Sequence, residues 1–140
     1  MKTNKILIGG LVGAVVFFFL GWLIYGVVLS DYMLNNYDQS LSRPEEDMIW
    51  WAMILSSLAS GFLIAVILNW SNSITCMDGA KKGAILGFLL SVSLDFSFYS
   101  MSTMFLSFTP VIVDVITYVV YWAIAGAVVA YAMGLVKNKA

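Results

Sequence analysis

The stretch "GFLLSVSLDFSFYSMSTMF" (Gly87–Phe105) decides between two folds. Its centre, Ser91 to Ser97, alternates polar and apolar residues as a β-strand does, and transmembrane barrels are built from such alternating stretches of about 10 residues. Here the alternation is embedded in a longer apolar run, and the other apolar runs of the chain do not alternate. The helical reading is the consistent one. Four runs, 6–29, 48–70, 83–105 and 110–136, are each long enough to cross about 30 Å of hydrocarbon at ~1.5 Å per residue. The expected fold is all-α: a polytopic integral membrane protein with four transmembrane helices, residues 1–140 forming one domain.

Composition points the same way. The chain is 61% hydrophobic and 11% charged, with a mean hydropathy of +0.93. A soluble domain of this size needs far more charge to cover its surface. Net charge is −1 and the Lys and Arg residues are scattered, so nucleic acid is not an expected partner. The lone Cys76 allows no intrachain disulfide. The absence of histidine removes the commonest metal ligand and general base, so no metal, cofactor or Ser–His chemistry is expected, and no nucleophile–base set marks an enzyme. Lys2 and Lys5 precede an apolar run longer than a signal-peptide core with no A-x-A site after it, so the first run reads as a retained helix.

Orientation follows from the placement of positive charge. Lys2, Lys5, Lys81, Lys82, Lys137 and Lys139 fall on one side of a four-span topology and only Arg43 on the other. Both termini are expected in the cytoplasm. The 30–47 loop carries Asp31, Asp38, Glu45, Glu46 and Asp47. Ser42-Arg43-Pro44-Glu45 reads as a capping box for the second helix, and Tyr32, Met33, Leu34, Tyr37 and Leu41 suggest a segment lying on the headgroups. Trp50, Trp51 and Trp70 mark an aromatic belt at both ends of that helix. Asn69-Trp70-Ser71 matches a glycosylation triplet, but at the expected cytoplasmic end, where no glycan is added.

Helices pack in lipid through small residues. Candidates are Gly9 and Gly13 on the first helix, Ser57 and Gly61 on the second, Gly79, Gly83 and Gly87 on the third, and Gly126, Ala130 and Gly134 on the fourth. This predicts a tight bundle with a homo-oligomeric contact. "SGFLIA" (60–65) faintly echoes "AGAVVA" (125–130), as parallel repeats would.

Asp95 is the exceptional residue. At about 100° per residue, Ser91, Asp95, Tyr99 and Ser102 share one narrow arc, while Ser93, Ser97 and Ser100 lie opposite, so the third helix is expected to touch protein or water on two sides. The fourth helix has a stripe of Asp114, Thr117, Tyr118, Tyr121 and Ala125, and Thr109-Pro110 reads as its N-cap and first turn. A short link makes the two helices antiparallel neighbours. Folding about residues 106–107 sets Asp114 level with Tyr99, Asp95 with Tyr118 and Ser91 near Trp122, with tyrosine hydroxyls as donors to the carboxylates. Tyr25 and Trp22, near the outer end of the first helix, could touch the same cavity, but read first as interfacial anchors. An aspartate at mid-membrane costs ~2.5–3.5 kcal/mol on insertion scales, and no Lys, Arg or His lies in any span to neutralise it. Two uses fit: proton or cation handling along a polar track, or a neutral acid bonding helices together.

The segments "GWLIYG" (21–26), "GAKKGAILGF" (79–88) and "VDVITYVVYWAIAGAVVA" (113–130) resemble a family of small four-helix bacterial inner-membrane proteins of unknown function. That resemblance implies the fold and a multi-pass location in the bacterial inner membrane, and no activity. Two functions are carried forward. One is a homo-oligomeric channel or transporter for protons, a cation or a small solute, using Asp95 and Asp114 with Tyr99, Tyr118, Tyr121, Ser91, Ser102 and Thr117. The other is a non-transporting accessory or scaffold subunit that binds a larger membrane protein.

Overall fold

A computed structural model describes residues 3–41, 45–72 and 75–135. Among them there is no strand. Helix α1 (Thr3–Gly21) runs directly into a π-helical segment (Trp22–Val28), closed by the Leu29 amide donating to the Ile24 carbonyl five residues back at 2.8 Å. A short helix α2 (Ser30–Asn36) follows, then 3₁₀ turns at Gln39–Leu41 and Glu45–Asp47, and three long helices, α3 (Trp50–Trp70), α4 (Cys76–Met101) and α5 (Thr109–Gly134). The first long helix with its π segment, and α3, α4 and α5, are each long and apolar enough to cross a membrane. Helices suit these sequences because every main-chain group is paired inside its own segment, which hydrocarbon demands.

The boundaries have local causes. α4 starts at Cys76, ahead of the expected residue 83, because Thr75 is extended and its Oγ1 accepts the Asp78 amide at 3.1 Å. The tight α3–α4 turn places Asn72 at φ 53, a left-handed conformation that asparagine tolerates. α5 starts at Thr109 with Pro110 in the first turn. Thr109 is therefore helical and does not cap; Phe108 precedes the helix with no side-chain cap. The helix α2 was not foreseen. The expected capping box falls at residues 42–44, outside those described, as do Lys2, Arg43, Lys137 and Lys139. α3 itself begins at Trp50 behind Ile49, which offers no side-chain cap. Trp50 and Trp51 at one end of α3 and Trp70 at the other are all exposed.

Two antiparallel hairpins form the bundle. α1 packs on α3, α4 packs on α5, and α5 also lies along α1. Each hairpin closes by near-contact of backbones. A Cβ at Gly13 would stand 2.7 Å from the Gly61 Cα, and one at Gly61 would meet the Gly10 carbonyl. In the second hairpin, Cβ atoms at Gly79, Gly83 and Gly87 would collide with the carbonyls of Gly126, Trp122 and Tyr118. Gly61 and Gly126, the glycines of the two echoed segments, thus do the same job, each on the second helix of its hairpin. Ala130 is buried beside Gly79 and Ser57 is half-buried one turn before Gly61. Gly134, by contrast, is exposed at the end of α5 and packs no helix, because α4 begins level with Gly126 and Ala130 and reaches no further. Met133 lies beside Gly9, so the N-terminal end of α1 and the C-terminal end of α5 share one end of the bundle. The core between the hairpins holds Phe17, Ile64, Leu68, Trp122, Ala125 and Val129, with the Phe17 and Trp122 rings 4.6 Å apart.

α4 is the least enclosed of the four long helices. It meets α5 on one side and α3 only slightly, so Ser93, Ser97 and Ser100 face outward. Within a single chain, protein covers α4 on the α5 side only.

Gly83→Val is expected to destabilise the bundle by at least ~1–3 kcal/mol, since the helices must separate to admit the side chain. Gly134→Val should be near neutral. Thermal unfolding in detergent, followed by circular dichroism, checks the contrast.

Candidate functional site

The glycine seam sets the level of every polar residue on α4 and α5. With Gly79 beside Gly126, Gly83 beside Trp122 and Gly87 beside Tyr118, one further turn brings Ser91 to the level of Asp114. The expected register is corrected by about two turns of one helix against the other. α4 stops at Met101, and residues 102–108 form an irregular link that crosses back over the bundle end. Asp114 is therefore not level with Tyr99, Asp95 not level with Tyr118, and Trp122 lies against the glycines instead of Ser91.

The consequence is that the two acids meet. Asp95 and Asp114 are each 8% exposed, and their carboxyl groups lie within hydrogen-bonding reach of one another. Asp114 Oδ1 accepts a hydrogen bond from the Tyr25 hydroxyl at 2.9 Å. Asp95 Oδ2 is buried with no hydrogen-bond partner among the described residues. Lys81 and Lys82, the nearest lysines along the chain, sit at the far end of α4, roughly 20 Å from Asp95. Two full charges about 4 Å apart repel by roughly 4 kcal/mol even at an effective dielectric near 20, so a bare dianion is disfavoured here.

Tyrosines from three elements surround the pair. Tyr25 comes from the π segment of α1, a wider turn that is often found at functional sites. Tyr37, just after α2, lies close to both carboxyls. Burial first, then Asp114 and Asp95, hold its phenol well above the ordinary tyrosine value, so it stays protonated and can donate. Tyr118 on α5 stands near both acids, with its ring edge-on to Tyr121 at 5.9 Å. Tyr32 on α2 has a buried hydroxyl with no hydrogen-bond partner among the described residues.

A cap closes this end of the bundle. The Asp38 amide donates to the Met104 carbonyl at 2.8 Å and the Leu106 amide to the Asn36 carbonyl at 3.0 Å, tying the 30–47 connection to the 102–108 link. Tyr37 and Phe105 stack across the join at 5.0 Å, and Phe105 is buried beneath it. Asp38 organises the corner: its Oδ1 accepts the Ser40 hydroxyl at 2.6 Å and the Ser40 amide at 3.0 Å. Tyr37 thus turns toward the acids instead of lying on headgroups and the Tyr32 hydroxyl is buried, while Leu34 and Leu41 remain exposed.

Of the residues expected at the site, Asp95, Asp114, Ser91 and Tyr118 come together. Ser91 is 1% exposed, and its hydroxyl donates to the Phe88 carbonyl at 3.1 Å. Tyr99 is 42% exposed and stacks on Phe108, and Ser102 is exposed with its hydroxyl on the Phe98 carbonyl; the early end of α4 leaves both outside. Thr117 bonds back to the Val113 carbonyl at 2.7 Å. Tyr121 donates to the Phe17 carbonyl, joining α5 to α1, and Gly21 leaves the room its hydroxyl needs. Tyr25 and Tyr37 belong to the site and were read from sequence as an anchor and a headgroup residue. No local pattern distinguishes a tyrosine that anchors from one that turns inward.

Fold and site together define an all-helical bundle with four helices long and apolar enough to span a membrane and a buried carboxyl pair near one end. Neither known protein families nor characterised proteins nor solved structures give a match to this chain.

The Ser40 hydroxyl, then its amide, hold the Asp38 carboxyl below its usual range. A depressed value means the corner is fully supported above the ordinary aspartate pKa of about 3.9 and weakens as pH falls through the lower folded value. The protection factor of the Ser40 amide should therefore fall in acid below about pH 3.9, and Asp38→Ala should show the lower protection already at neutral pH.

Proposed function

We propose that this chain is a small multi-pass protein of the bacterial inner membrane that moves a proton, a cation or a small solute past Asp95 and Asp114. The observation that carries this reading is the carboxyl pair: two acids on adjacent helices, buried, side by side, with phenol donors and no basic residue between Gly83 and Gly134. Such a pair needs something positive between its oxygens. Intramembrane acids of this kind mark ion and proton pathways. The positive charge at Lys5, Lys81 and Lys82 supports an orientation with that end and both termini in the cytoplasm. The acid pair then lies toward the outer surface, beneath the Tyr37 cap. The resemblance to small four-helix inner-membrane proteins supports the location and adds no activity.

A second reading is an accessory subunit whose acids are protonated packing groups. The cap favours it, since main-chain hydrogen bonds close the end of the bundle nearest the acids. Flux separates the two. In proteoliposomes carrying a pH or cation gradient, the wild type should dissipate the gradient, and Asp95→Asn and Asp114→Asn should each slow it at least about tenfold, the scale of a barrier change near 1.4 kcal/mol. Equal rates in all three end the transport reading.

The homo-oligomer belongs to the same proposal and rests on α4. Its outward Ser93, Ser97 and Ser100 are the polar side chains this helix presents away from α5. In lipid, small polar residues favour helix–helix contacts. In a Cys76→Ser background, Ser97→Cys is expected to form an oxidative dimer in membranes. Val120→Cys, on the outward face of α5, should not. Equal cross-linking at both positions, or none at Ser97→Cys, counts against an α4 contact.

A further inference from the structure

We propose that the carboxyl pair holds a single proton, resident on Asp95 and donated to Asp114, so that the occupant of the site is a proton and not a metal ion. This deepens the reading of the pair as the working site and rests on it.

The hydrogen-bond pattern assigns the proton. Asp114 accepts from Tyr25 and has Tyr37 within reach, so its negative charge is the better stabilised of the two. Among the described residues no phenol donates to Asp95, and its Oδ2 is buried without a partner beside another carboxyl. Two ionised carboxylates are acceptors only and cannot satisfy each other. Protonating Asp95 removes the conflict: its O–H donates to Asp114, which keeps the phenol bond and the charge. The groups that face the pair are Tyr25 from the π segment, Tyr37 from the capping connection and Tyr118 from α5. All are neutral phenols, so none supplies a counter-charge.

The same surroundings argue against a metal ion. The described residues hold no group of three or more acidic, histidine or cysteine side chains able to share an ion. Hard cations take six or more oxygen ligands, and here two carboxyl groups stand among phenols instead of a cluster of acids. Release is then a plain acid dissociation: the Asp95 O–H bond breaks, its electron pair stays on the carboxylate oxygen, the proton passes to a water molecule from solvent, and two carboxylates remain until a proton returns.

Infrared spectroscopy of the full-length protein in lipid reads this directly, because a protonated carboxyl has a carbonyl stretch that a carboxylate lacks. At neutral pH the wild type should show one acid band, lost on alkalinisation and unchanged by Na⁺ or Mg²⁺ at constant pH. Asp95→Asn should lose the band, since the carboxyl that carries the proton is gone. Asp114→Asn should keep it at a shifted frequency, since Asp95 loses its charged acceptor. No acid band in the wild type, bleaching by either cation, or a band unaltered in Asp95→Asn overturns the proposal. The wild-type measurements decide it even where a variant does not fold. An intact band with equal flux in the variants ends the transport reading and leaves the proton assignment standing. A missing band with aspartate-dependent flux does the reverse.

Discussion

Backbone contact along the glycine seams governs the rest of this molecule. Helices separated by ordinary side chains lie about 8–10 Å apart and can slide by a turn at modest cost. At Gly79, Gly83 and Gly87 the α4 backbone lies directly against α5 carbonyls, an approach that a side chain at any of these positions would block. The register is thereby fixed at a distance from the polar residues. It brings two carboxyls together whose charges alone would keep them apart. The acids are held close by apolar packing, and their chemistry is what this packing leaves them to resolve.

The third side of the site depends on a different device. α1 reaches α5 through the Phe17 ring, which packs on Trp122 and Tyr121, and through the Tyr121 hydroxyl on the Phe17 carbonyl. Beyond Gly21 the helix widens to π spacing, which turns each residue by a smaller angle and swings Tyr25 onto Asp114. Tyr121 and Tyr25 are one turn apart in the bundle and identical in chemistry, but one ties helices together and the other serves a carboxylate. Burial and neighbours make that distinction, not residue type.

These contrasts explain what was legible in the sequence. The long helices were readable because length and apolarity alone produce them. The glycine spacing named seam residues on all four long helices, and only Gly134 among those it named packs no helix, since small residues have few other reasons to recur at helical spacing. The acids stood out as the residues an apolar span tolerates least. The α4–α5 register was not legible. It depends on where α4 unwinds, and Ser102 to Phe108 contains neither Gly nor Pro to mark the break. The short helix α2 was hidden for a related reason: its seven residues, Ser30–Asn36, are too few for a periodic pattern to emerge. Tyr25 and Tyr37 were assigned to the interface because, near a span end, anchoring and inward-facing tyrosines have the same local sequence.

The polar residues of α4 divide into two sets with separate consequences. Ser91 and Asp95 are enclosed by the chain's own α5, so the acid pair is complete within one copy. Ser93, Ser97 and Ser100 lie on the outward face, and Ser100 satisfies its hydroxyl on the Ser97 carbonyl of its own helix at 2.8 Å. Back-bonding of this kind lets serine face lipid at small cost, so the outer stripe does not have to be covered for the bundle to be stable. A contact between copies through that stripe would therefore add to a site already formed instead of completing it. Proton occupancy of Asp95 should then be a property of the single chain, and assembly should change only how the site is reached.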